Sequence, residues 1–168
     1  PEAMPENRVN HTLAKELALY VVIYSPWQMA ADLVENYADQ PAFKFIEDVP
    51  TDWHDTQVLH AEIGEYVTIV RQERDGDEWF LGSITNEEPR SLEASLDFLD
   101  PGTTYVAEIY ADGEAADWDE NPYDIDISHV LVNSTTLMKL NLAPGGGAAI
   151  RFYPASEDEI ESLTTDQT

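Results

Sequence analysis

The first third of the chain carries a helical pattern of apolar residues. Across residues 10–24, apolar side chains recur every three or four positions, which is typical of a helix with one buried face. The stripe consists of Leu13, Leu17, Tyr20, Val21 and Tyr24. Asn10 or Thr12 can cap the start of this helix, and Ser25-Pro26 ends it, because a residue that precedes proline avoids the helical conformation.

Two shorter apolar segments follow this helix. Residues 27–31 fit a short buried strand with Asp32 at its carboxyl end, and residues 42–47 fit a short helix with Phe43 and Ile46 on its inner face. One helix and one short strand cannot bury their own apolar faces. Residues 1–50 are therefore predicted to be the end of another domain, from which a partner is missing.

The period changes from 3.6 to 2 after a linker at residues 48–56. Eight strands are predicted, at residues 57–63, 66–72, 78–85, 90–98, 104–110, 125–132, 136–142 and 148–153. Turn residues separate nearly all of them. The fold class is therefore mainly β, an antiparallel β-sandwich of about eight strands over residues 54–155. Residues 156–168 are acidic and polar and are predicted to form a flexible tail.

The charge of the chain limits its partners. Among 168 residues, 34 are acidic and 8 are basic, so that the net charge is −26. Nucleic-acid binding needs a basic face that this chain lacks, and no apolar run reaches the roughly 20 residues of a membrane span. The acidic residues are scattered along the chain, which favours a halophilic source, since molar salt screens their mutual repulsion. Cysteine is absent, and the compartment stays open.

Three polar motifs have a chemical interpretation and a plainer one. Residues 117–120 (DWDE) supply oxygen ligands for calcium but lack the spacing of an EF-hand, so a solvated loop is favoured. The four histidines show no metal-ligand spacing. Residues 144–147 (PGGG) resemble a phosphate cradle, but neither a lysine nor a helix follows them, so a hairpin turn is favoured.

One carboxylate and three tryptophans are candidates for carbohydrate contact. Asp32 either faces a substrate from the end of a barrel strand or caps the next helix, and spacing alone does not separate the two interpretations. Trp53, Trp79 and Trp118 can form a platform for stacking on a sugar. Trp79 lies in a strand pattern, which favours a place in the core.

Three blocks of sequence together resemble one known family. They are TLAKELALYVVIYSPWQMAADLVENY, PAFKFIEDVPTDWHDT and LAPGGGAAIRF, and with them residues 10–152 resemble the C-terminal portion of glycoside hydrolase family 97. This family contains α-glucosidases and α-galactosidases. The resemblance implies an N-terminal β-super-sandwich, a central (β/α)8 barrel and a C-terminal β domain associated with oligomerisation. Residues 1–50 would then be the last helix–strand–helix elements of the barrel.

The resemblance implies a structural role for this segment. The family's catalytic glutamates and calcium-binding glutamates lie upstream of Pro1, so no catalytic or metal-binding residue is assigned here, and calcium is expected only in the parent barrel. The expected partners are the remainder of the glycosidase and further copies of it, with a carbohydrate substrate for the parent. The substrate, the anomeric outcome and the oligomeric state stay open.

Two alternatives come from other functional classes. The first is an independent carbohydrate-binding β-sandwich, which needs exposed aromatic residues on one face. The second is an interaction module that uses the helix at residues 10–24 to dock a partner. The isolated chain is expected to lack glycosidase activity, because one barrel strand cannot place two carboxyls on either side of a glycosidic bond.

Overall fold

The described part of the chain contains four helices and eight strands. The computed structural model describes residues 9–30 and 33–166. The helices are α1 (Leu13–Val22), α2 (Val34–Tyr37), α3 (Phe43–Asp48) and α4 (Glu157–Asp166). The strands are β1 (Trp53–Glu62), β2 (Tyr66–Glu73), β3 (Trp79–Thr85), β4 (Arg90–Ser95), β5 (Tyr105–Asp112), β6 (Ile125–Val132), β7 (Leu137–Leu142) and β8 (Gly147–Pro154). The eight predicted strands are confirmed.

The strands form two antiparallel sheets of unequal size. Six of them pair in the order β1-β2-β3-β8-β5-β6, and the remaining two, β4 and β7, pair with each other. The β4–β7 pair covers one face of the large sheet. Its inward side chains, Ala94, Met138, Leu140 and Leu142, share a core with alternate residues of β3, β5 and β8 such as Leu81, Ala107 and Ile150. The predicted mainly-β, antiparallel two-sheet arrangement is therefore confirmed.

Helices α1 and α3 cover the opposite face of the large sheet. Leu17, Ala18 and Val21 of α1 lie in a second core, against Phe80 of β3 and Ala149 of β8. Burial of side chains such as Leu17 and Val21 is worth about 1.5–3 kcal/mol each. Leu13, Leu17, Tyr20 and Val21 of the predicted stripe thus pack on this chain's own sheet, whereas Tyr24 lies beyond α1 and is exposed.

A glycine on β3 allows this helix to come close. A Cβ added at Gly82 would lie 2.6 Å from the Ala18 carbonyl oxygen and 2.9 Å from Val21 Cβ. Because any larger residue would push α1 outwards, the helix is matched to this position of the sheet.

The segment between α1 and β1 departs from the prediction in two places. Residues 27–30 form no strand, and they are not buried as predicted: Trp27 is 79% exposed and Met29 is 75% exposed. No strand in the described part of the chain pairs with this segment, so its backbone amides and carbonyls have no ladder to join. In α3 the fully buried residue is Phe45, which packs edge-on against Phe80 and Tyr110. Phe43 instead stacks on Tyr37, and Ile46 is partly buried.

Residues 157–166 are helical, whereas the sequence predicts a flexible tail over residues 156–168. Helix α4 starts with a capping box, in which the Glu159 amide donates to Ser156 Oγ and the Ser156 amide donates to Glu159 Oε2. Tyr153 Oη on β8 also donates to Glu159 Oε1 at 3.0 Å. These bonds satisfy the first turn, which explains why so polar a segment is ordered.

Candidate functional site

Helix α1 is fixed to the sheet at its amino-terminal end by Asp112 of β5. Thr12, the N-cap of α1, donates from Oγ1 to Asp112 Oδ1 at 2.6 Å. The other carboxylate oxygen accepts the amides of Ala143 and Gly147, each at 2.8 Å. Burial raises the pKa of Asp112, and these three hydrogen bonds together with the Lys15 ammonium oppose that shift. Asp112 therefore joins the helix, the large sheet and the loop before β8.

That loop, residues 143–146, connects the two sheets. The predicted hairpin at residues 144–147 is wrong, because β7 pairs with β4 whereas β8 pairs with β3 and β5. Its glycines allow close approach. Gly145 has a φ of +62° and packs on Trp118, and a Cβ at Gly147 would lie 2.7 Å from the Ser83 carbonyl oxygen. The loop is thus a tight crossover beside the start of α1.

Arg71 of β2 fixes the other end of α1. Its Nε donates to the Val21 carbonyl oxygen at 2.7 Å, and its Nη1 donates to Thr56 Oγ1 at 2.8 Å. A cation next to the last carbonyls of a helix satisfies them and interacts favourably with the helix dipole. Burial lowers the pKa of Arg71, but an arginine stays charged at any physiological pH. Both ends of α1 are therefore held by side chains of the large sheet.

The chain leaves α1 through residues 23–33, here called the connecting segment. Among its described residues, Ile23, Tyr24, Trp27, Met29 and Leu33 are all exposed. Asp32 lies outside the described residues, so its predicted contact with substrate stays a prediction. Residues 17–31 contain no Asp or Glu, in a chain with 34 of them. Large exposed apolar residues in a group mark a surface that contacts another polypeptide or a ligand.

A half-buried ion cluster ties α3 to the large sheet. Arg151 of β8 forms a bidentate pair with Glu78, through Nε at 2.6 Å and Nη2 at 2.8 Å, and donates from Nη1 to Asp48 Oδ2 at 2.7 Å. Tyr110 Oη donates to Glu108 Oε1 at 2.8 Å beside it. The carboxylates raise the pKa of Arg151, and burial raises the pKa of Tyr110. Through Arg151 this cluster joins α3 to β8.

The predicted sugar platform is not formed. Trp79 packs on Phe98 in the core under the β4–β7 pair, and Trp53 packs on Phe80 in the core under α1 and α3. The two indoles therefore lie on opposite faces of the large sheet, and both are buried. Trp118 contacts the crossover loop at Gly145. The prediction of a carbohydrate-binding surface built from these three tryptophans is therefore wrong.

The acidic loop and two of the four histidines have local roles. Asp117 Oδ1 accepts the amides of Asp119 and Glu120, at 2.8 and 3.1 Å, as in an ordinary turn. His11 pairs with Glu16 on α1, and His129 lies 3.5 Å from Glu108. Over residues 9–30 and 33–166, no three His, Asp or Glu side chains are grouped to hold a metal ion. None of the helices in the same ranges is long and apolar enough to span a membrane.

Sequence reasoning missed the residues that hold α1. Asp112 was one acid among 34, and nothing in its local sequence marks it as buried. Arg71 carried a usable signal, because it is an arginine within a run of strand residues, where a buried charge requires a partner. The bond from Arg71 to Val21 joins residues fifty positions apart, a separation at which sequence patterns carry no information.

The β region of the chain matches a described family. Residues 52–153, more than half of the chain, match the family described as glycosyl-hydrolase 97 C-terminal, oligomerisation. A retaining α-galactosidase of Bacteroides thetaiotaomicron is 36% identical over 142 residues, which cover 84% of this chain and 21% of that enzyme.

Solved structures agree with this match. A glycoside hydrolase family 97 enzyme from Pseudoalteromonas sp. strain K8, solved in complex with acarbose, is 49% identical with a TM-score of 0.87, over 89% of this chain and 24% of that one. A β-arabinopyranosidase is 26% identical with a TM-score of 0.68, over 84% and 21%. The chain spans less than a quarter of the length of these relatives. It belongs to the glycosyl-hydrolase 97 C-terminal, oligomerisation family.

Proposed function

We propose that this chain is the C-terminal oligomerisation domain of a longer family 97 glycoside hydrolase and supplies no catalytic group itself. The family match at residues 52–153 supports the role, and the coverage of 21–24% of the relatives leaves room for a catalytic region elsewhere in the parent. The parent hydrolyses α-glucosides or α-galactosides. The catalytic carboxylates and the calcium of the parent belong to that other region.

The connecting segment is the contact between this domain and the rest of the parent. The observation that carries this proposal is the exposure of five large apolar side chains within residues 23–33, directly after a helix that is fixed at both ends. An apolar surface next to a rigid helix gives a neighbouring domain a defined place to pack. Residues 1–50 would then join the end of the barrel to the β domain, with α1 packed on the latter.

A charged substitution in the connecting segment tests this contact. Trp27→Asp in the full-length enzyme should lower the temperature of inactivation, because it places a carboxylate in an apolar contact. In the isolated chain the same substitution should leave the thermal midpoint unchanged. Val58→Asp on β1, where the side chain is 60% exposed, is the matched control and should be neutral in both proteins. Equal responses of the full-length enzyme to both variants would contradict the proposed contact.

We also propose that the parent works at high salt. With a net charge of −26, the folded chain repels itself, and molar salt reduces the Debye length to about 3 Å. The thermal midpoint of the isolated chain should therefore be higher in about 3 M KCl than in about 0.1 M KCl. A midpoint that stays constant or falls across this range would remove the case for halophily.

A further inference from the structure

The acidic residues are not spread evenly over the structure. Residues 127–156 contain no Asp or Glu, although the chain has 34 of them, and this run includes all of β7 and β8. Strand β8 is in the middle of the large sheet, so its composition follows from burial. Strand β7 is different, since its alternate residues Leu137, Lys139 and Asn141 are exposed.

These three residues form one side of the outer surface of the β4–β7 pair. Their partners in the β4 register are Ser95, Glu93 and Ser91 respectively, which are also exposed. We call these six side chains the ribbon face. It carries one acid and one base, Glu93 opposite Lys139, so its net charge is zero on a chain whose net charge is −26. At its end Leu137, an aliphatic side chain, is 61% exposed.

A neutral face is what an interface between two copies of this chain requires. In a two-fold symmetric dimer the same patch of each copy meets the other, so a patch with a net negative charge meets a second patch with the same negative charge. Like charges placed against each other in an interface are strongly unfavourable. The ribbon face avoids this, and two-fold symmetry lets Glu93 of each copy pair with Lys139 of the other.

Other surfaces meet this requirement less well. The edge strand β1 has exposed Asp55 and Glu62 and two irregularities of register, devices that oppose pairing with a further strand. Helix α4, next to the other edge, begins with three acids. The connecting segment has one acid, Asp32, and no base, and in the proposed function it contacts the rest of the parent.

We infer that the ribbon face, the outer surface of the β4–β7 pair, binds the ribbon face of a second copy of this chain. The inference rests on the proposed oligomerisation role and assigns it to named residues. Leu137 supplies apolar contact, and the Glu93–Lys139 pair, repeated by symmetry, sets the orientation.

Two matched aspartate variants test where the contact lies. Leu137→Asp should weaken dimerisation of the full chain at least about tenfold, because an unpaired carboxylate becomes buried against the second copy. Val58→Asp introduces the same charge at a site that is 60% exposed on β1, and it should change the dissociation constant by less than about twofold. Sedimentation equilibrium measures both constants, and thermal melts verify that both variants are folded.

Two charge-reversal variants test the reciprocal pairing. Lys139→Glu and Glu93→Lys should each weaken self-association in about 0.15 M KCl, where the Debye length is about 8 Å. An equimolar mixture of the two should associate again, because every Glu–Lys pair across the interface is then restored. In about 3 M KCl the effects of both variants should shrink, whereas that of Leu137→Asp should persist. Glu62→Lys on β1 is the control for the charge change and should have no effect.

The outcomes separate this inference from the proposed function. A chain that stays monomeric in both salts contradicts the oligomerisation role itself. If Leu137→Asp and Val58→Asp dimerise equally well, the oligomerisation role stands but its assignment to the ribbon face is wrong. Restored association in the mixture, together with a specific loss in Leu137→Asp, supports it.

Discussion

Helix α1 and the connecting segment are adjacent in sequence, similar in composition and opposite in environment. Both are rich in large apolar residues, and residues 17–31, which span their junction, contain no acid. Leu17 is 1% exposed on the large sheet, whereas Trp27, ten residues later, is 79% exposed. The helix is apolar because this domain needs it, whereas the connecting segment is apolar without any such need within the described residues. Apolar composition therefore indicates that a segment packs against another surface, and only the structure shows which surface that is.

Among the variants that test this comparison, Leu17→Asp should have the largest effect on the free energy of unfolding. The substitution places an unpaired carboxylate between Phe80 and Ala149, and the free energy of unfolding of the isolated chain should fall by about 3–5 kcal/mol. Urea denaturation measures the difference. A loss below about 1 kcal/mol would mean that α1 is not part of the core. Deletion of residues 1–50 should be at least as damaging, which makes the residue-50 boundary predicted from the sequence a poor place to cut.

The next effect should come from Asp112, which holds the start of α1. Asp112→Ala leaves the Ala143 and Gly147 amides without their acceptor and should lower the free energy of unfolding by about 2–4 kcal/mol. Asp112→Asn keeps the shape and one acceptor oxygen and should lower it by less than about 1.5 kcal/mol. Chemical denaturation of the two variants in parallel gives both values. Equal losses would mean that the hydrogen bonds of Asp112 do not account for its contribution to stability.

The burial of Asp112 makes the stability of the native chain depend on pH, in comparison with Asp112→Asn. Burial raises the pKa of Asp112 in the folded chain, so the folded state binds a proton more tightly than the unfolded state. This carboxyl therefore favours folding most at low pH, and its contribution declines as the pH rises from about 3.9 through the folded pKa. The stability of the native chain relative to Asp112→Asn should fall over that interval. A rise there would mean that the hydrogen bonds outweigh burial.

A smaller effect is expected at Gly82, where α1 touches β3. Gly82→Ala puts a Cβ 2.6 Å from the Ala18 carbonyl oxygen, and moving the helix away should cost about 1–3 kcal/mol. Gly64→Ala is the control, since a Cβ there has no neighbour within 4 Å and only the φ of +81° is unfavourable, at about 1–2 kcal/mol. Thermal melts rank the two. If Gly64→Ala proves the more harmful, the close approach of α1 has little energetic weight.

The smallest effect is expected in the connecting segment. Trp27→Ser in the isolated chain should change the free energy of unfolding by no more than about 0.5 kcal/mol, because an exposed indole loses little on truncation. Urea denaturation beside Leu17→Asp makes the contrast direct. A loss above about 1.5 kcal/mol would show that Trp27 packs on this domain in solution, and the comparison between the two segments would fail.

The sequence predicted the strands well because their signals are local. Period-2 alternation and turn residues located all eight, and the bounds of β6 match residue for residue. The capping box at Ser156 is a local signal too, but the acidic composition of residues 156–168 favours a flexible tail, so composition and pattern disagree there. The sequence pattern does not show which element each apolar face packs against. The contact of α1 with β8 and the separation of β7 from β8 depend on residues far apart in the chain.

The position of β8 determines the order in which the sheet can be completed. Strands β1 to β3 and strands β5 and β6 can each pair by hairpins soon after they emerge, but β8 is the only link between the two groups in the observed strand order. Contacts between distant segments form slowly, so the closing of the large sheet should be the late step of folding. Until residues 147–154 are in place, the chain holds two half-sheets with open inner edges. During that interval an acidic chain gains an advantage, because its net charge keeps unfinished molecules apart.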